Sequence, residues 1–109
     1  MDFDNDKEVL ETFFYEATSK LAKIEAGLER LRENPDKELI HSIFRHVHSL
    51  KANANLLKMK KIEEISNKME DTLQKYRSGE LVPETKSITN LQQITEKLKK
   101  LTNRWQESL

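Results

Sequence analysis

Apolar residues recur every three or four positions along nearly the whole chain. That spacing gathers them on one side of a helix but scatters them over both faces of a strand, so it points to amphipathic helices. Four segments show it. The first carries Val9, Phe13, Ala17, Leu21, Ile24, Leu28 and Leu31, and stops at Glu33-Asn34-Pro35. Asn34 is a favourable N-cap, and Pro35 suits the first position of the following helix, where its missing N–H costs nothing. The second carries Leu39 or Ile40, then Ile43, Val47, Leu50, Ala54 and Leu57. The third carries Ile62, Ile65, Met69, Leu73 and Tyr76, and meets a helix stop at Ser78-Gly79. Pro83-Glu84 opens the fourth, with Ile88, Leu91, Ile94, Leu98, Leu101 and Trp105.

The break between the second and third segments contains neither Gly nor Pro. The apolar stripe changes phase near Lys58, which places the break there. The predicted helices are 6–32, 36–56, 60–78 and 84–107. A helix of about 20 residues is roughly 30 Å long, and the connections are short. The expected fold is all-α: one domain over 1–109, an antiparallel up-down-up-down four-helix bundle. Leu21, Ile24, Leu28, Ile43, Val47, Leu50, Ile65, Met69, Leu73, Leu91, Ile94 and Leu98 are the expected core. Trp105 is expected to pack on the bundle end, against the first or third helix.

Composition narrows the function. The two glycines and two prolines are too few for the turns of a sheet or barrel. The formal net charge is zero, so no global field draws nucleic acid or an anionic membrane. With no Cys, disulfides, thiolate zinc sites and cysteine nucleophiles are excluded. The acidic start, Asp2, Asp4 and Asp6, is unlike a signal peptide, and no apolar run approaches a membrane span. A soluble, cytoplasmic chain is expected, with neither nucleic acid nor membrane as partner.

The second helix is unusual. With Ile43, Val47, Leu50 and Ala54 facing inward, the opposite stripe carries His41, Arg45, His48, Ala52 and Asn55. His48 then projects outward from mid-helix, with Lys51 one turn on and the small Ala52 beside it. An exposed neutral imidazole is a competent nucleophile near neutral pH. A neighbouring Lys can neutralise a phosphoryl group placed on it. The bland alternative is a surface histidine with no role. Metal binding is not expected: His41 and His48 lie about 10.5 Å apart along the axis, and His46 and His48 point to nearly opposite sides. The cluster Lys58, Lys60 and Lys61 lacks interleaved aromatics and is followed by Glu63 and Glu64, so it reads as a solvated helix start.

The stretch Ile43-Phe44-Arg45-His46-Val47-His48-Ser49-Leu50-Lys51-Ala52-Asn53-Ala54 resembles the signature of histidine-containing phosphotransfer domains. It is most similar to the first domain of chemotaxis histidine kinases. The match includes Phe44-Arg45, His48, Ser49, Leu50, Lys51 and Ala54. Met69-Glu70-Asp71-Thr72-Leu73 resembles the family's later E-[DN]-x-L segment, and Phe13-Phe14-Tyr15-Glu16-Ala17 its F-x-x-E-A opening. The resemblance implies that His48 is phosphorylated, that Glu70 orients its ring, and that Lys51 is the phosphate-proximal cation. Arg45, Ala52 and Asn55 are expected on the docking face. The implied partners are a histidine kinase catalytic domain and a response-regulator receiver domain. No cofactor is implied, and an isolated domain is expected to be monomeric.

Some residues depart from the family pattern. Ala52 replaces a Gly, Asn53 and Asn55 replace small residues, Asn67 stands where a second His is usual, and Lys58 replaces the customary turn Gly. No glycine-rich nucleotide loop or asparagine-rich ATP motif is present, so the chain reads as a phosphoryl carrier and not an enzyme on its own. It fits either a standalone carrier or the first domain of a larger kinase. The alternatives are an adaptor that keeps the bundle but no longer accepts phosphate, and a purely structural bundle.

Overall fold

A computed structural model describes residues 6–109. They form α1 (Lys7–Glu33), α2 (Lys37–Leu56), α3 (Lys60–Ser78) and α4 (Thr85–Glu107), within a residue or so of the expected bounds. Each helix packs on the next, and α1 closes against α4. The polar ties between helices run in opposite chain directions. On the α1–α4 side, Glu25 meets Lys99, Glu29 meets Gln92, and Arg32 meets Thr89. On the α3–α4 side, Thr95 lies against Met69, and the hydroxyls of Tyr76 and Ser87 are hydrogen-bonded. The bundle is therefore up-down-up-down, with a long axis of 42 Å set by α1.

The caps explain the boundaries. The Asp6 carboxylate accepts from the N–H of Glu8 and Val9 at the start of α1. The predicted cap of α2 is corrected. Asp36, not Asn34, occupies that position and accepts from the Glu38 N–H. Pro35 disfavours the helical conformation for the residue before it, so Asn34 turns extended (φ −153°) and becomes the C-cap of α1. The α2–α3 break falls where the phase change put it. Lys58 adopts φ +60°; its N–H bonds the Asn55 carbonyl, and the Met59 N–H bonds that of Ala54. This is a Schellman motif with lysine in the left-handed position usually given to glycine. Gly79 fills the equivalent place after α3, at φ +81°.

Of the expected core, Leu21, Ile24, Leu28, Ile43, Val47, Leu50, Met69, Leu73, Leu91 and Leu98 are buried. Ile65 and Ile94 are corrected to half-buried flanks. The inward positions next to them belong to Ser66 and Thr95. A buried Thr can satisfy its hydroxyl within its own helix, as Thr95 does by donating to the Leu91 carbonyl at 2.8 Å, and Ser66 is small enough to sit inward, so polarity misleads the stripe. Trp105 lies at the bundle end beside α1, as expected, but packs only in part. It remains 46% exposed, at the rim of a cleft with Leu10 and Phe14 of α1 and Met59 of the α2–α3 turn.

Gly27 has a packing role the periodicity did not show. It is buried in α1, and a Cβ there would lie 2.7 Å from Cγ1 of Ile43, itself fully enclosed. The α1–α2 approach depends on the missing methyl. Two stability outcomes follow. Leu50→Ala should cost about 2–4 kcal/mol in urea denaturation, through lost burial and a cavity. Gly27→Ala should lower the melting temperature, because overpacking costs about 1–3 kcal/mol and outweighs the roughly 1 kcal/mol of helix propensity gained.

Candidate functional site

α2 and α3 run antiparallel, and their facing edges form a ladder of polar and aromatic rungs. Phe44 meets Arg77, His48 meets Glu70, Lys51 meets Glu70 and Asn67, and Asn55 meets Glu63. Phe44, His48, Lys51 and Asn55 recur every three or four residues, so they share one edge of α2. The core residues Val47, Leu50 and Ala54 point the other way and fix the rotation of the helix.

Glu70 is the hub. Its Oε2 lies 2.5 Å from Nδ1 of His48, and its Oε1 lies 2.6 Å from Nζ of Lys51. One carboxylate therefore bridges the imidazole and the ammonium. The Glu70 side chain is 14% exposed, Lys51 25% and His48 58%, so the orienting groups are sheltered while the histidine stands in solvent. Partial burial pushes the Glu70 carboxyl up. Hydrogen bonds from Lys51 and His48, aided by their charges, outweigh that and hold it below its ordinary value. An ionised Glu70 accepts from Nδ1–H, which selects the tautomer with a free lone pair on Nε2. Asn67 Oδ1 lies 3.4 Å from Lys51 Nζ, so the residue that replaces the usual second histidine contacts the lysine.

The three residues expected to do the chemistry, His48, Glu70 and Lys51, are thus brought together. Those expected to dock a partner are not part of that cluster. Arg45 is exposed and lines a shallow depression with Lys37, Glu38, His41 and Ser42. Ala52 is exposed, and Asn55 is tied to Glu63 at 2.7 Å. His46 turns toward α1. Burial pushes its imidazole down, and the charges of Lys23, Lys20 and Arg45 add to that. Two members were missed in the sequence. The Phe44 ring lies nearly parallel to the His48 ring, at 12° with centroids 6.0 Å apart, and the Arg77 guanidinium sits 4.1 Å from the Phe44 ring centre. The signal was available as spacing: Phe44 is one turn before His48, and Arg77 is two turns after Glu70.

Similarity to known proteins agrees with this geometry. The chain matches the Hpt domain family over residues 8–104 and belongs to that family. It is 32% identical over 97 residues to the chemotaxis protein CheA of Rhizobium meliloti, covering 88% of this chain and 13% of that protein. It is 38% identical over 82 residues to the chemotaxis protein CheA of Salmonella typhimurium, covering 74% of this chain and 12% of that one. The sensor histidine kinase CheAY of Helicobacter pylori is 32% identical over 79 residues, covering 72% and 10% respectively. The chain therefore spans about an eighth of the length of the relatives it matches. Among the described residues, no helix is long and apolar enough to cross a membrane.

The depressed Glu70 carboxyl gives a pH signature. A carboxylate whose folded pKa is lowered adds stability above its unfolded value, and that stability is lost as pH falls through the folded one. The stability advantage of the wild-type chain over Glu70→Gln should be full above about pH 5 and should shrink steadily in more acid solution. Urea denaturation of both proteins across that range measures it.

Proposed function

We propose that this chain is a phosphoryl carrier in two-component, chemotaxis-type signalling, with His48 as the phosphorylated residue. The carrying observation is the single carboxylate, Glu70, that holds Nδ1 of an exposed histidine and Nζ of a lysine at once. With Nδ1 protonated and bound, Nε2 is the nucleophilic nitrogen. Its lone pair attacks the γ-phosphorus of ATP held by a kinase domain; the N–P bond forms and the bond to the ADP oxygen breaks. Attack leaves positive charge on the ring. Ionised Glu70 stabilises that charge from the Nδ1 side without taking part in bond making. The same charge serves donation: when a receiver aspartate attacks the phosphorus, an O–P bond forms, the N–P bond breaks, and the ring departs as a neutral imidazole, a good leaving group, with Nδ1–H still on Glu70.

Lys51 has two roles in this reading. It pins Glu70 through a short charge-assisted bond, and it places a cation one turn from the incoming phosphoryl group. His41 and His46 are bystanders. Phosphoryl donor and acceptor are separate proteins or domains, a histidine kinase catalytic domain and a response-regulator receiver domain. ATP is bound by the kinase partner. The exposed Arg45 and Ala52, with Asn55, lie on the stripe around His48 that these partners would approach. The setting is cytoplasmic, and the chain acts as one carrier domain.

The test supplies the ATP-binding domain of a chemotaxis histidine kinase, radiolabelled ATP and the chain, and reads acid-labile, base-stable phosphate. The wild type should take label. His48→Gln should take none and should unfold at nearly the wild-type temperature, since an exposed side chain contributes little to packing. Glu70→Ala should retain the fold and slow labelling by about 10²-fold or less, because orienting groups contribute on the order of 10²–10⁴-fold and this one is partly screened. Label retained on His48→Gln would sink the assignment. A wild-type chain that binds the kinase but takes no label would instead be a docking adaptor.

A further inference from the structure

We propose that Phe44 and Arg77 form a clamp that sets the ring angle of His48 for phosphoryl transfer. This inference rests on the phosphotransfer reading above and adds two positioning residues to it.

A hydrogen bond at one edge orients an imidazole but leaves the tilt of its plane soft. The ring hangs from Cβ and is tied to Glu70 at Nδ1, so the motion left to it is rocking of the ring plane about the line through those two anchors. Nε2, at the far side of the ring, would then sweep through an arc. In-line attack on phosphorus tolerates little such error, since a misplacement of about 1 Å can cost 10²-fold in rate. The histidine is more than half exposed, so close packing does not supply the missing restraint.

Phe44 supplies a second contact of a different kind. It lies one turn before His48 on the same edge of α2, and the two rings are close to parallel. The centroid separation of 6.0 Å is within the range of favourable offset aromatic pairs. A face contact resists rotation of the ring plane, which an edge hydrogen bond does not. Phe44 must itself be held for this to work. It is half-buried against the core, and the Arg77 guanidinium lies 4.1 Å from its ring centre, in cation–π range. Gln74 steadies the guanidinium through a 3.2 Å hydrogen bond from Arg77 Nη1.

Both restraints are anchored on α3. Glu70 and Arg77 are seven residues apart, so they project from the same face of α3 two turns apart. α3 thus reaches His48 directly through Glu70 and indirectly through Arg77 and Phe44. Arg77 is exposed, and its charge also suits the last turn of α3. That surface role predicts a small change in stability and none in rate, so the two roles separate experimentally.

The full chain is labelled with ATP and the ATP-binding domain of a chemotaxis histidine kinase, and kcat and KM for the chain are measured. Arg77→Met should lower kcat by about 3- to 10-fold with KM unchanged and at most a small drop in melting temperature, a fraction of the loss that full misplacement brings. Phe44→Leu should lower kcat at least as far, and Phe44→Tyr, which keeps the ring, should lose less. The double variant Phe44→Leu, Arg77→Met should be no slower than Phe44→Leu alone, because the two act as one unit. In NMR spectra of the unphosphorylated chain, Arg77→Met should shift the His48 ring protons toward their positions in Phe44→Leu. Wild-type kcat in Arg77→Met overturns the clamp. So does a raised KM at unchanged kcat, or losses that multiply in the double variant. A wild-type chain that takes no label overturns the phosphotransfer reading and the clamp with it, whereas a labelled wild type beside an equally fast Arg77→Met overturns the clamp alone.

Discussion

Glu70 reaches both His48 and Lys51 only because α2 and α3 are antiparallel in one register, and the apolar layer beneath them sets that register. Val47, Leu50 and Ala54 from α2, and Met69 and Leu73 from α3, are buried in the same core. A rotation of either helix by one residue, about 100°, would carry the ladder residues out of reach of one another. Core packing therefore acts as the positioning device for the surface chemistry. The Schellman turn at Lys58 joins the two helices with three residues, which leaves little freedom to slip.

The site resolves a conflict between exposure and order. A phosphoryl carrier must present its nucleophile to large partners, yet an exposed side chain is free to rotate. Here His48, the residue proposed to be phosphorylated, is exposed, while Glu70, which holds it, and Lys51, which holds Glu70, are sheltered. Glu70 is mostly buried and stays ionised because Lys51 compensates the cost of its desolvation. The histidine is thus held from its inner edge, and Nε2 stays open.

The rest of the bundle serves as support. Gly27 lets α1 approach α2 closely enough to meet Ile43, on the face of α2 away from His48. Thr95 and Ser66 bring small side chains into the centre, where α3 and α4 meet the core. Asn67 beside Lys51 shows how a departure from the family pattern is absorbed: an amide that carries no charge contacts the ammonium and leaves the Glu70 bridge intact.

The helices, their order and the break at Lys58 were legible in the sequence, because the 3.6-residue period and the scarcity of Gly and Pro act locally. His48 as an outward residue, with Lys51 one turn on, was legible for the same reason, since two positions on one helix have a fixed angular relation. Glu70 entered only through the resemblance, because no local rule relates residues on different helices. The errors share a cause. Ile65 and Ile94 were placed by hydrophobicity, but inward position is decided by the phase at which neighbouring helices meet, and there Ser66 and Thr95 take the centre. Spacing put Phe44 and Arg77 on the right faces of their own helices, but for that reason as well it could not pair them. The sequence by itself determined which residues share a face of each helix; only the tertiary structure decided which faces meet and in what register, because those depend on the simultaneous packing of side chains from all four helices.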